Sequence, residues 1–161
     1  MPAPPDRFDG QADDGVASLF AAGRASMLRM ASLMVGSGAL AEEVVQDAFV
    51  AVRARWSSLE RPGAYLRTTV ANGCAQLLRR RDAESRALSS LAPVADVELP
   101  ARLVELRDAL DRLSAQQRIV VVLRYFVDIP DQEIAVILGV RPSTVRSLAR
   151  RAFALLRKEL E

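Results

Sequence analysis

Apolar residues recur at helical spacing from about Asp13 onward: Val16, Leu19, Phe20, Ala22, Met27, Met30, Ala31 and Met34 fall near i, i+3, i+4. Only Gly23 breaks this spacing, and Gly36-Ser37-Gly38 ends the helix. A second helix is predicted from about Ala39 to Arg55, with Leu40, Val44, Val45, Ala48, Phe49 and Val52 as its apolar stripe. Trp56 to Gly63 reads as a loop, and Pro62 is well placed to open a third helix that runs to about Arg81. Its apolar line is Leu66, Val70 and Leu77, and the small residues Gly73 and Cys74 leave room for a neighbouring helix to approach.

The periodicity fails between residues 82 and 100, where Ser89, Ser90, Pro93 and Pro100 give a linker composition. Residues 13–81 and 101–159 are therefore expected to form two small helical domains joined by a flexible linker over 82–100. Residues 1–12, rich in Pro and Asp, are expected to fray. In the second domain Leu103, Leu106, Leu110 and Leu113 lead to Ser114, an expected N-cap with Gln117 three residues on in a capping box. The helix it opens carries Ile119, Val120, Val122, Leu123 and Phe126 and stops before Asp128-Ile129-Pro130. Two shorter helices close the chain, Asp131 to about Leu138 and Pro142 to about Lys158, with Gly139 as the turn residue between them. The fold class is all-α.

Composition narrows the function. Aromatic residues make up 5% of the 161 residues, in keeping with a helical class. Domains of under about 90 residues bury a modest share of their surface and are individually marginal. No apolar run is long enough for a membrane span, and the N-terminus has no signal-peptide pattern, so a cytoplasmic protein without a membrane partner is expected. A single Cys and no His exclude an internal disulfide, the usual zinc sites and His-dependent hydrolysis. Glu42 and Glu43 are adjacent and diverge by about 100° on a helix. No P-loop or dinucleotide fingerprint is present. No catalytic residue, metal site or cofactor is expected. Net charge is only +2, so nucleic-acid binding must be argued from the placement of charge.

That placement is informative. Gln132 to Val140 followed by Pro142 to Arg146, with small Ala135 at the crossing and Gly139 in the joint, makes a helix-turn-helix. On its second helix Val145, Ala149, Ala152 and Leu156 share one face, while Ser143, Arg146, Ser147, Arg150 and Arg157 share the other. A short-polar, Arg-rich face suits the major groove, where Arg reads guanine edges and phosphates. In the first domain Arg79-Arg80-Arg81 ends the third helix. Cations there favour the helix dipole, which by itself explains the cluster as well as DNA does. Upstream, Tyr65, Thr69, Asn72, Gln76 and Arg79 align at helical spacing, a set able to stack bases, bond their edges and follow phosphates of single-stranded DNA. The second helix carries Glu42, Glu43 and Asp47. Dipole compensation near its start accounts for acids there, and so does a basic protein partner.

Several segments resemble one family. Ala41-Glu42-Glu43-Val44-Val45-Gln46-Asp47-Ala48-Phe49, Pro62 to Leu66 through Asn72 to Arg81, and Leu113 to Arg118 with Leu123-Arg124-Tyr125 and Glu133 to Ser147 resemble, in order, regions 2 and 4 of the σ70 superfamily. The lack of further domains points to the extracytoplasmic-function class, and the Leu33 to Gly38 stretch is similar to its SigE-like group. The resemblance implies that Glu42, Glu43, Gln46, Asp47 and Phe49 meet core RNA polymerase at the β′ coiled-coil, with the β flap as a further contact. It implies that Trp56, Arg61, Tyr65, Asn72, Gln76, Arg79, Arg80 and Arg81 meet the −10 element, Trp56 to Pro62 supplying the loop that receives a flipped base. Ser143, Thr144, Arg146, Ser147 and Arg150 would read the −35 duplex. Arg141 and Pro142 replace the family's usual entry to the recognition helix, and Leu148 and Arg150 exchange its usual basic and small positions.

The function implied is an alternative sigma factor that binds core polymerase, recognises both promoter elements and starts transcription without catalysis of its own, with an anti-sigma factor as a plausible further partner. A helix-turn-helix regulator acting on duplex DNA would use residues 101–161 and leave Glu42 to Phe49 and Tyr65 to Arg81 without a role. A helical protein-interaction adaptor would leave every Arg cluster as solvated surface. The linker would also let the two domains close on each other and mask their DNA faces.

Overall fold

The computed structural model describes residues 9–85 and 100–160. The linker core at residues 86–99 and most of the expected frayed N-terminus lie outside them. Helix α1 (Asp9–Val35) is followed by α2 (Gly38–Ala54), a 3-10 turn at Trp56–Ser58 and α3 (Pro62–Ser85). The second half comprises α4 (Ala101–Leu110), α5 (Ala115–Val121), a π turn at Val122–Phe126, α6 (Asp131–Leu138) and α7 (Pro142–Leu160). No strand occurs among the described residues.

In the first half three helices pack around Ala31, Met34, Val45, Val52, Leu66, Val70 and Cys74. Gly36, at φ +72°, stops α1 in the left-handed region where a side chain is disfavoured. Ser37 then caps α2, its hydroxyl accepting from the Leu40 amide at 3.4 Å. The predicted close approach at Gly73 is present: a Cβ there would stand 2.8 Å from a Val44 methyl. Gly23 lies inside an unbroken α1, as packing of a long helical face outweighs the roughly 1 kcal/mol propensity cost of one Gly. Two expectations need correction. Helix α3 continues past Arg81 to Ser85. Its apolar line is completed by buried Leu78, with Leu77 half-buried, since α1 and α2 flank α3 on two sides.

The second half follows the predicted helix-turn-helix. Ser114 and Gln117 form the full capping box: the Gln117 amide donates to Ser114 Oγ at 3.2 Å and the Ser114 amide to Gln117 Oε1 at 3.0 Å. The helix they open is shorter than expected, loosening at Val122 into the π turn. Asp128, at φ 55°, then redirects the chain, and the Ile129 amide donates to the Leu123 carbonyl at 2.9 Å. Between α6 and α7, Gly139 is left-handed at φ 67°, and the Val140 amide donates back to the Ala135 carbonyl at 2.9 Å, a Schellman closure.

The two halves share one continuous core. Helix α3 packs on α6, and α1 packs on α5 and the π turn. Arg118 of α5 pairs with Asp111 beside the Gly36 turn, where a Gly36 Cβ would lie 3.3 Å from its Nη1. Burial, reinforced by Arg107, lowers the Arg118 pKa to about 10, which leaves it charged at neutral pH. Each half is small, and covering one with the other removes apolar surface that neither hides alone.

Candidate nucleic-acid and protein interfaces

Helix α2 buries Ala41, Val45, Ala48, Phe49 and Val52, so its 3.6-residue period turns Glu42, Glu43, Gln46 and Asp47 outward. Glu42 pairs with Arg24 of α1 at 3.3 Å in an exposed contact of small energetic weight. Phe49, grouped with these residues by sequence, belongs instead to the core: it is 6% exposed and meets Phe20 edge-on at 5.0 Å. Its aromatic face is spent inside the protein.

On α3, Gln76, Arg79 and Arg80 are exposed and Tyr65 and Asn72 half-buried. The Thr69 hydroxyl donates to the Tyr65 carbonyl at 2.7 Å and is partly occupied within the helix. A cleft of about 280 Å³ between α2 and α3 is lined by Glu43, Asp47, Asn72, Gln76 and Arg80. Residues expected to serve two different partners therefore border a single groove. The three consecutive arginines separate completely. Arg79 Nη2 donates to the Ile137 carbonyl of α6 at 2.6 Å, and Arg81 Nη1 to the Val35 carbonyl of α1 at 3.1 Å. Arg80 alone faces the groove. The sequence offered the dipole of their own helix as an explanation, whereas two of them serve the carboxyl ends of other helices. In the loop before α3, Arg61 is exposed and Trp56 half-buried against α1, over Gly15, where a Cβ would overlap the indole at 2.4 Å.

On α7, Val145, Ala149, Ala152 and Leu156 are buried as the helical projection requires. Ser143, Arg146 and Arg150 are exposed, with Thr144 and Ser147 half-buried beside them. Closure of the two halves leaves this face open, contrary to the expectation that both DNA faces would be masked. Leu148, at one of the exchanged positions, is half-buried against the core and Arg150 projects outward, which follows from their places on the helix.

One surface was not anticipated. Leu106, Val121, Tyr125, Phe126, Phe153 and Leu156 line an open apolar cleft of about 590 Å³ in the second half. Tyr125 and Phe126 are each almost half exposed, and Tyr125 meets Phe153 edge-on at 4.5 Å. The available signal was Phe153 and Leu155, which fall off the buried face of α7 and have no place in its core stripe.

Two family models match the chain in the order of these surfaces: "Sigma-70 region 2" over residues 19–84 and "Sigma-70, region 4" over 103–156. A curated relative, RNA polymerase sigma-E factor of Streptomyces coelicolor, is 34% identical over 141 residues, covering 84% of this chain and 80% of its own. The chain belongs to the σ70 family of RNA polymerase sigma factors, in its extracytoplasmic-function class.

RNA polymerase sigma factor CarQ of Myxococcus xanthus is 30% identical over 164 residues, covering 96% of this chain and 94% of its own. Among solved structures, the sigma factor RpoE in complex with the anti-sigma factor NepR from Bartonella quintana superposes with a TM-score of 0.66 at 26% identity, covering 91% of this chain and 96% of that one. As a sigma factor, the chain acts in transcription initiation, and the regulator and adaptor readings are not favoured. Sigma factors are non-enzymatic regulators of transcription. Among the described residues no cluster of three His, Cys, Asp or Glu side chains is placed to hold a metal, and no helix is long and apolar enough to cross a membrane.

Proposed function

We propose that this sigma factor docks on core RNA polymerase through the exposed acids of α2, holds −10 DNA along α3 and reads the −35 major groove with α7. The supporting observation is the separation of charge: Glu43 and Asp47 are exposed on one helix, while Ser143, Arg146 and Arg150 are exposed on another. An acidic surface suits a basic protein segment and repels DNA, and the Arg-rich face has the reverse preference. Residues 13–81 and 101–159 are the two functional units, and the tether between them starts after α3 ends at Ser85 rather than at residue 82. In this reading Trp56 and Arg61 border an unpaired base, and Tyr65, Asn72, Gln76 and Arg80 follow the strand. The apolar cleft around Tyr125 and Phe153 is the seat for the β flap.

Catalysis belongs to the polymerase, and the chain itself needs no cofactor. It works in the cytoplasm, where polymerase and promoter are found. An anti-sigma factor is a fitting partner, because a structural neighbour is held by one. The test is promoter-dependent run-off transcription with purified core enzyme, comparing the wild type with Glu43→Arg, Asp47→Arg. Specific transcripts from the wild type alone support the reading. No transcript from any promoter in a genomic pool, with duplex binding retained by residues 101–161, would transfer the protein to the duplex-regulator class.

A further inference from the structure

The amino-terminal turns of α1 have no part in the interfaces assigned above. Gly15 lies ahead of residues 19–84, the span matched by the region 2 model, and none of residues 14–20 is buried. An exposed helical stretch of this kind would gain from Ala at position 15, since Gly lowers the folding equilibrium about fivefold at a helical site. What Gly15 makes room for is the indole of Trp56. A Cβ on Gly15 would stand 2.8 Å from Trp56 Cε2 and 3.2 Å from Nε1, and closer still to Cζ2, inside ordinary van der Waals contact. One turn further along the same face, Leu19 meets the other end of the loop: its Cδ1 lies 4.0 Å from where a Gly63 Cβ would be. A single turn of α1 therefore supports both ends of the stretch from Trp56 to Gly63.

The loop between these two points is braced. The Ser58 amide donates to the Arg55 carbonyl at 2.9 Å and Ser58 Oγ to the same carbonyl at 2.8 Å, while the Leu59 amide donates to the Trp56 carbonyl at 3.3 Å. Leu59 is packed against the core, and the Tyr65 amide donates to the Arg61 carbonyl at 3.0 Å, tying the loop to α3. An indole is a rigid body on two side-chain torsions. It can clear an added methyl group only by swinging off α1 or by carrying the turn with it. Either movement shifts the rim formed by Trp56 and Arg61.

We propose that Gly15 is a positioning residue for −10 base selection, holding Trp56 where the loop receives the unpaired base. This rests on the −10 assignment of that loop given above. Gly15 itself touches no DNA and acts through the indole, so its influence falls on which base is accepted rather than on overall affinity. The two have different sources: base preference comes from the fit of the loop to one base, whereas Arg80 neutralises phosphate whatever the sequence.

The experiment uses the full chain with core polymerase and forked probes built on a promoter found by run-off, carrying each of the four bases at the unpaired −10 position. Wild type is expected to favour one base about tenfold, the scale of a single mismatch, and Gly15→Ala should reduce that preference to about twofold. Affinity for a −35 duplex and helical content should stay at wild-type values. Ser18→Ala, a change of similar kind at an exposed site on the same helix, should leave the preference intact. Trp56 is the only tryptophan, so its emission reports the contact directly: it should move to longer wavelength in Gly15→Ala and stay in place in Ser18→Ala. Trp56→Phe removes the fused edge of the ring that faces Gly15, so in that background Gly15→Ala should have no further effect on base preference. Unchanged emission or unchanged base preference in Gly15→Ala overturns the proposal, as does a further loss in the Trp56→Phe background. A wild type that accepts all four bases equally at every unpaired −10 position removes the −10 assignment of the loop, and the proposal with it.

Discussion

Arg81 donates its Nη1 to the Val35 carbonyl at 3.1 Å, pinning the end of α3 to the end of α1 within the first half. Its neighbour Arg80 faces the groove and has no protein partner among the described residues. Adjacent arginines thus divide between holding the fold and meeting a ligand. Arg81→Ala should cost about 1 kcal/mol, since a hydrogen bond to a charged donor is lost from a half-buried site. Arg80→Ala should leave stability within about 0.5 kcal/mol and lower the salt dependence of DNA binding by about one counterion. Denaturant melts and a salt titration of binding to a melted −10 fork separate the two.

Phe49→Ala removes a buried ring in contact with Phe20 and should destabilise the protein by about 3–4 kcal/mol. Glu43→Arg, Asp47→Arg changes only exposed positions and should shift stability little. Loss of polymerase binding in the first variant should follow its melting curve, and in the second should occur with the fold intact. Thermal melts alongside a polymerase pull-down read both.

Cys74 is completely buried, and burial pushes its thiol from 9.0 up to about 12. The folded state therefore retains this proton where the unfolded chain releases it. The contribution to stability is complete below about pH 9 and is lost as pH rises through the folded value near 12. Native protein should resist alkylation at pH 9 and react fully in denaturant, as a mass-shift assay will show. Rapid labelling of the native state would place the thiol at the surface.

Gly139 holds φ 67° at the joint of the helix-turn-helix. Gly139→Ala should cost about 1 kcal/mol from left-handed strain, because a Cβ there meets no other atom within 4 Å. Binding to a −35 duplex should weaken in proportion to the unfolded fraction and recover at lower temperature. A large affinity loss in fully folded protein would show that the turn angle itself sets the fit of α7.

What the sequence determined is whatever a few neighbouring residues decide. The period of the apolar residues located the seven α-helices of the described residues, Ser114 with Gln117 gave the cap of α5, and Gly139 gave the turn. The buried and exposed faces of α2 and α7 followed from the same period, and with them the outward placement of Glu43, Asp47, Arg146 and Arg150. Distant contacts lie outside that reach. Only the tertiary structure decided that Phe49 turns to Phe20, that Trp56 rests over Gly15, and that α5 loosens into a π turn carrying Tyr125 and Phe126. It alone divided Arg79, Arg80 and Arg81 among α6, the groove and α1. Three identical side chains in a row carry one local signal. Their destinations are fixed by carbonyls 58 and 46 residues away in the chain, brought within hydrogen-bonding distance when two small cores close into one.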